Sequence, residues 1–210
     1  MLDKTKGKTK GTIIPYSTGT DTVLASRIIL TVDGIKPLLT HNPESMGVDK
    51  APGKGSRIPE AEIEAEAGVY RLPDGTCAIK GEAFRGSLLG AASAWKAKAK
   101  RTMKSLLSHV TVIEDLIPLM RHDGTPVKDY IIDRRRAIIQ RNGIIRCRPC
   151  FPEWSCTFTI EYDPELIGKE PKIIADVLQD AGNRIGVGDF RPGRNGPFGR
   201  YRVKEYTVDE

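Results

Sequence analysis

A chain of 210 residues with 39% hydrophobic and 29% charged content has the make-up of a folded protein of one moderately large domain, residues 1–210. It has no apolar run of about 18 residues, which argues against a transmembrane helix and a membrane partner. The basic opening MLDKTKGKTKG lacks the apolar core of a secretory signal, so the expected location is cytoplasmic.

A net charge of +6 and a pI of about 9.1 favour a polyanionic partner. The cations are clustered: Lys4, Lys6, Lys8 and Lys10; then Lys96, Lys98, Lys100, Arg101 and Lys104. Arg134, Arg135, Arg136, Arg141, Arg146 and Arg148 follow, and then Arg191, Arg194, Arg200 and Arg202. Acids gather elsewhere, as at Glu60, Glu62, Glu64 and Glu66, and this segregation is the footprint expected of a nucleic-acid binder. Taken singly, each cluster also reads as a solvated face.

In chain order, TVLASRIILTVDG (22–34) reads as a central first strand ending in Asp-Gly. His41 and Asn42 follow in a polar turn. Residues 47–58 hold glycines, prolines and basic side chains and read as a mobile loop insertion. Pro59 then opens a short helix that stops at Gly68. Two apolar runs flank Pro73-Asp74-Gly75-Thr76, which predicts a hairpin over 69–79.

Phe84, Leu88, Ala91 or Ala92 and Trp95 recur at helical spacing. If that helix persists, Lys96, Lys100 and Lys104 form a positive stripe along its C-terminal half. Gly86 and Gly90 weaken it but leave flat places for close packing. Residues 110–120 predict one or two short strands, and residues 130–151 a strand pair turning at Asn142-Gly143. In SCTFTIEYD, Cys156, Phe158, Ile160 and Tyr162 share one face. A helix from Pro171 buries Ile174, Val177, Leu178 and Ala181 and stops at Gly182. The last strand is RYRVKEYTV (200–208). Strands interleaved with a few helices give an α+β fold, with an antiparallel sheet of ferredoxin-like or RRM-like kind, helices on one face and loop insertions.

Cys147 and Cys150 have C-x-x-C spacing, but no histidine lies near and a closed site would also need Cys77, so reduced thiols are expected and no metal or other cofactor is assigned. The stretch GVGDFRPGRNGPFGRYRV (186–203) is the more informative one. Its glycines, Gly188 and Gly196 among them, can let backbone N–H groups converge on a phosphate, with Arg191, Arg194 and Arg200 adding charged donors. Phe198 and Tyr201 are expected in the core. Arg85, in the first turns of its helix, is a further candidate phosphate contact, and Lys96 and Lys100 are non-specific ones. No residue is assigned a catalytic role.

Ile79, Gly81, Phe84, Arg85, Gly86 and Leu88 in CAIKGEAFRGSLLGAASAW resemble the strand-plus-helix motif of the RAMP superfamily of CRISPR systems, with Lys80 where proline is commoner. The stretch 186–203 resembles that superfamily's C-terminal glycine-rich loop, and PLLTHNPESM resembles the segment after the first strand of CRISPR effector backbone subunits. The resemblance implies a ferredoxin-like fold, binding to single-stranded RNA or DNA (RNA before DNA), side-by-side assembly into a homo-oligomer or filament, and contact with other effector subunits. In that reading 47–58 is a thumb-like insertion, and Asp49 stands where some such subunits cut RNA. A stand-alone phage or mobile-element relative would carry the same motifs. Two alternatives stay open: a metal-independent endoribonuclease using His41 or His109, and a phage structural or interaction protein.

Overall fold

The computed structural model describes residues 26–43, 61–97, 101–139, 142–168 and 171–209. The N-terminal lysines, the 47–58 loop with Asp49, and Lys98, Lys100 and Arg141 lie outside the described residues. The elements are β1 (Ser26–Gly34), β2 (Leu38–Leu39), α1 (Ala61–Ala67), β3 (Tyr70–Arg71), β4 (Cys77–Lys80), α2 (Gly81–Ala92), α3 (Met103–Leu107), β5 (Thr111–Val112), β6 (Leu116–Pro118), β7 (Ile131–Ile139), β8 (Asn142–Phe151), β9 (Ser155–Tyr162), α4 (Pro164–Ile167), α5 (Lys172–Arg184) and β10 (Tyr201–Asp209).

The chain is α+β with antiparallel pairing, but its strands form three sheets rather than one: β10-β1-β9-β5, β2-β8-β7 and β3-β4-β6. Within the first sheet β1 is central, flanked by β10 and β9. Ile28, Leu30 and Val32 alternate inward from β1, and Cys156, Phe158, Ile160 and Tyr162 from β9. Over that face lie α2, through Phe84, Leu88, Ala91 and Ala92, and α5, through Ile174, Val177, Leu178 and Ala181. Phe84 joins the layers: its ring stacks on Phe158 with centroids 4.4 Å apart and meets Tyr201 edge-on at 5.5 Å. The opposite face of β1 and β9 is polar, with Thr31 and Thr157 hydroxyls 3.0 Å apart and Arg27 3.3 Å from Glu161.

Three local expectations are corrected. The helix carrying Phe84 ends at Ala92 instead of running on to Lys104. Ala94 and Trp95 turn tightly over Ala91 and Ala92, so the Trp95 indole donates to Asp180 of α5 at 2.7 Å. A separate helix, α3, begins at Met103 under a Thr102 cap, so the described Lys96 and Lys104 do not share one helix. Asn142 and Gly143 open β8, paired with Ile139 and Ile138, rather than making the turn. Gly182 lies inside α5, where a Cβ would strike the Tyr201 carbonyl, and the helix closes instead at Gly186.

All four cysteines are buried and unpaired. The C-x-x-C pair stands on a strand, so side chains three apart project to opposite faces and cannot chelate one ion. Burial raises the thiol pKa at Cys77 and Cys147, pushes Cys150 up to about 11 and raises Cys156 further. Iodoacetamide at neutral pH is therefore expected to leave all four unmodified in the folded protein and to alkylate them in denaturant, as intact-mass spectrometry would read; labelling of the native protein would contradict this packing.

Candidate nucleic-acid interface

The glycine-rich segment after α5 does not hang free. It is laid across β2, with Gly199 N–H donating to Pro37 and Asp189 N–H to Leu39, both at 2.8 Å. Gly188, at φ 74°, is where this approach is closest, since a Cβ there would run into the Leu39 carbonyl. Beside it the segment folds on itself: Gly193 N–H reaches Ile185, Gly196 N–H reaches Arg191, and Phe198 N–H reaches Phe190. Gly196 is buried against the Phe190 carbonyl. These donors close the segment, so the expected cradle of backbone N–H groups pointing at a phosphate is not what the glycines build. They let the loop pack tightly, and the side chains do the facing outward.

β8 continues past the short β2, and two arginine clusters distant in sequence meet at this place. Arg148 Nε lies 2.7 Å from Asp189 Oδ2, a close ion pair outside hydrogen-bond alignment. Arg135, opposite Arg146 on the β7–β8 ribbon, places its guanidinium 4.7 Å from the Phe198 ring centre. Arg146 is held at 3.0 Å by Glu64, a buried carboxylate of α1 that also accepts the Cys147 N–H. Glu64 thereby satisfies the edge of β8 that β2 leaves uncovered.

Between this loop, the turn after β2 and the first turns of α2 lies a cavity of about 330 Å³. Its lining draws on Thr40 and His41 after β2, Tyr70 and Lys80 of the β3–β4 hairpin, Glu82, Ala83 and Gly86 of α2, and Gly188, Asp189 and Arg191 of the loop. Thr40 is fixed by its hydroxyl to the Gly68 carbonyl at 3.0 Å. Burial lowers the His41 pKa; Asp189 raises it, while Arg148 and Arg146 lower it further. The imidazole is therefore neutral at pH 7. Arg191 donates to the Gly188 carbonyl at 2.8 Å, and burial with Arg194 beside it pulls its pKa down.

The candidate residues thus separate. Gly188 and Arg191 line the cavity; Arg194, in the tight turn Pro192–Arg194, and Arg200, at the loop's end, are exposed in the same segment. Arg85 points elsewhere, donating to the Val110 and Ser108 carbonyls at 3.1 and 2.9 Å and tying α2 to the turn before β5. Lys96 is exposed beyond the end of α2. His109 is exposed in the turn after α3, away from the cavity lining. No protein-family model matches this chain, and no curated protein matches it either.

Two features of the site go beyond what the sequence pattern suggests. Lys80 and Glu82 flank the start of α2 within one cavity, and Arg135 and Arg148 reach the glycine loop. A signal for the arginines is present in the alternation of Arg134-Arg135-Arg136 against Arg146 and Arg148, which a hairpin brings into register. Gly86 is a further surprise. Unlike Gly90, whose Cβ would press on Ile185 at 3.2 Å, Gly86 has nothing within 4 Å of that position. A glycine here costs α2 about 1 kcal/mol relative to alanine without serving any packing.

Proposed function

We propose that this chain is a non-catalytic single-stranded nucleic-acid-binding protein of RAMP type, RNA before DNA, which assembles side by side along the strand. The observation carrying this reading is the convergence of the β7–β8 arginine ribbon on the glycine-rich loop, joined by the Arg148–Asp189 pair at 2.7 Å. The skeleton supports it as well. Taking β1, α2, β5, β9, α5 and β10 in order gives a β–α–β–β–α–β run whose sheet reads fourth, first, third, second, and this order supports the ferredoxin-like arrangement the resemblance implies. The open face of β1 and β9 carries threonines, Arg27, Ile29 and Glu161, without aromatic side chains. Base stacking on the sheet, as in RRM domains, is therefore not the mode. The strand runs instead past the exposed Arg194 and Arg200 and the ribbon.

Filter binding of a labelled single-stranded RNA tests this. If about four phosphates are neutralised, affinity falls about fiftyfold between roughly 50 and 200 mM salt. No affinity at the lower salt would overturn the reading. One observation favours a second function: neutral His41 lines the cavity, as a general base for RNA cleavage would. Intact RNA after prolonged exposure to excess protein excludes it.

A further inference from the structure

We infer that the cavity beside the glycine-rich loop is a base-reading pocket that selects an unpaired guanine. This rests on the nucleic-acid reading above and adds sequence preference to it. The lining is charge-balanced, Lys80 and Arg191 against Glu82 and Asp189, so it offers no net attraction to a phosphate. Lys80 is further committed to Asp115 at 2.9 Å, and Asp189 to Arg148. What remains is Arg191 of the loop and Glu82 of α2, an exposed carboxylate that makes no hydrogen bond or ion pair among the described residues and lies in the field of Lys80.

The size suits one nucleoside: about 330 Å³ lies at the low end of small-ligand pockets. The walls include Ile79, Ala83 and Val187, apolar surface suited to a base plane. Gly86 is exposed at its lining, and a Cβ there would meet nothing within 4 Å.

A cation and a carboxylate lining one cavity match one base best. Along its Watson–Crick edge guanine presents an acceptor, O6, then two adjacent donors, N1–H and the N2 amino group. A carboxylate takes both donors in parallel, and a guanidinium takes O6. Adenine and cytosine each offer one amino group beside a ring-nitrogen acceptor, which repels the carboxylate. Uracil offers a single N–H between two carbonyls.

The test uses the full chain and oligouridylates of about twelve nucleotides, all-uridine or with one central guanosine, adenosine or cytidine. Fluorescence anisotropy at fixed salt is expected to give the guanosine strand roughly tenfold tighter binding than the other three. Glu82→Gln brings it to within about twofold of them, since one carboxylate oxygen becomes a donor. Gly86→Leu does the same by filling the cavity, while its melting temperature is no lower than that of the parent. Equal, salt-dependent binding of all four strands by the parent protein overturns this inference and leaves the general nucleic-acid reading standing. Binding of none overturns the general reading. In that event guanosine and adenosine 5′-monophosphates decide the pocket alone: a thermal shift with the guanine nucleotide only supports it, and a shift with neither overturns it.

Discussion

Phe84→Ala is expected to destabilise the protein by about 3–5 kcal/mol, the usual cost of emptying a fully enclosed aromatic site. Phe84 is wholly buried and sits where α2, β9 and β10 meet, stacked on Phe158 and edge-on to Tyr201. Its neighbours cannot close the gap: Phe158 and Tyr201 are fixed by strand pairing, and the Tyr201 hydroxyl is tied to Ser87 at 3.0 Å. For a chain of this length the loss corresponds to a melting temperature lower by roughly 10 °C. Phe190→Ala, half-buried in the loop against Phe198 at 6.1 Å, is expected to cost only about 1 kcal/mol. Urea denaturation of the two variants side by side checks this. Similar losses would mean that the loop, and not the helix–sheet junction, holds the main core.

The elements legible in the sequence are those whose burial has a regular period. β1 and β9 alternate as their residue types alternate, and α5 buries Ile174, Val177, Leu178 and Ala181 at helical spacing. The β3–β4 hairpin is legible because its turn is local, whereas the β7–β8 pair is legible only as a pair, since Asn142 and Gly143 open β8 instead of turning. Where the sequence misleads, a local pattern is overruled from afar. Trp95 lies in phase with Phe84 and Leu88, yet its indole is captured by Asp180 of another helix and the chain leaves α2 early. Gly182 resembles a helix stop but exists for the Tyr201 carbonyl.

The candidate site is half legible for a similar reason. Glycine and arginine density marks the 186–203 segment, but composition does not say where N–H groups point, and here they point into the loop itself. Arg85 has the helix position of a ligand contact, whereas its guanidinium is spent on two carbonyls. The cavity joins Thr40, Tyr70, Glu82 and Arg191, and no pairwise spacing in the sequence announces that meeting.

Among the cations, those held by acids divide from those that face solvent. Arg146, Arg148 and Arg202 are paired with Glu64, Asp189 and Asp33. Arg194 and Arg200 are exposed, and Arg191 lies at the cavity with one nitrogen committed to Gly188. A strand of phosphates therefore meets its strongest donors in the glycine loop, since an acid-paired arginine must first give up its partner. Replacing Arg191, Arg194 and Arg200 together by alanine is expected to weaken single-stranded RNA binding about a hundredfold or more. The same triple variant flattens the dependence of log affinity on log salt by about 1.4, since Arg194 and Arg200 each neutralise a phosphate worth about 0.7 of slope while Arg191 faces the cavity. Arg27→Ala with Arg184→Ala removes two cations that are paired with Glu161 and Asp180 elsewhere on the molecule, and leaves affinity within about twofold. Circular dichroism confirms folding of both variants before binding is read. Equal losses in the two would mean that net charge alone draws the nucleic acid, and that the loop has no special part in holding it.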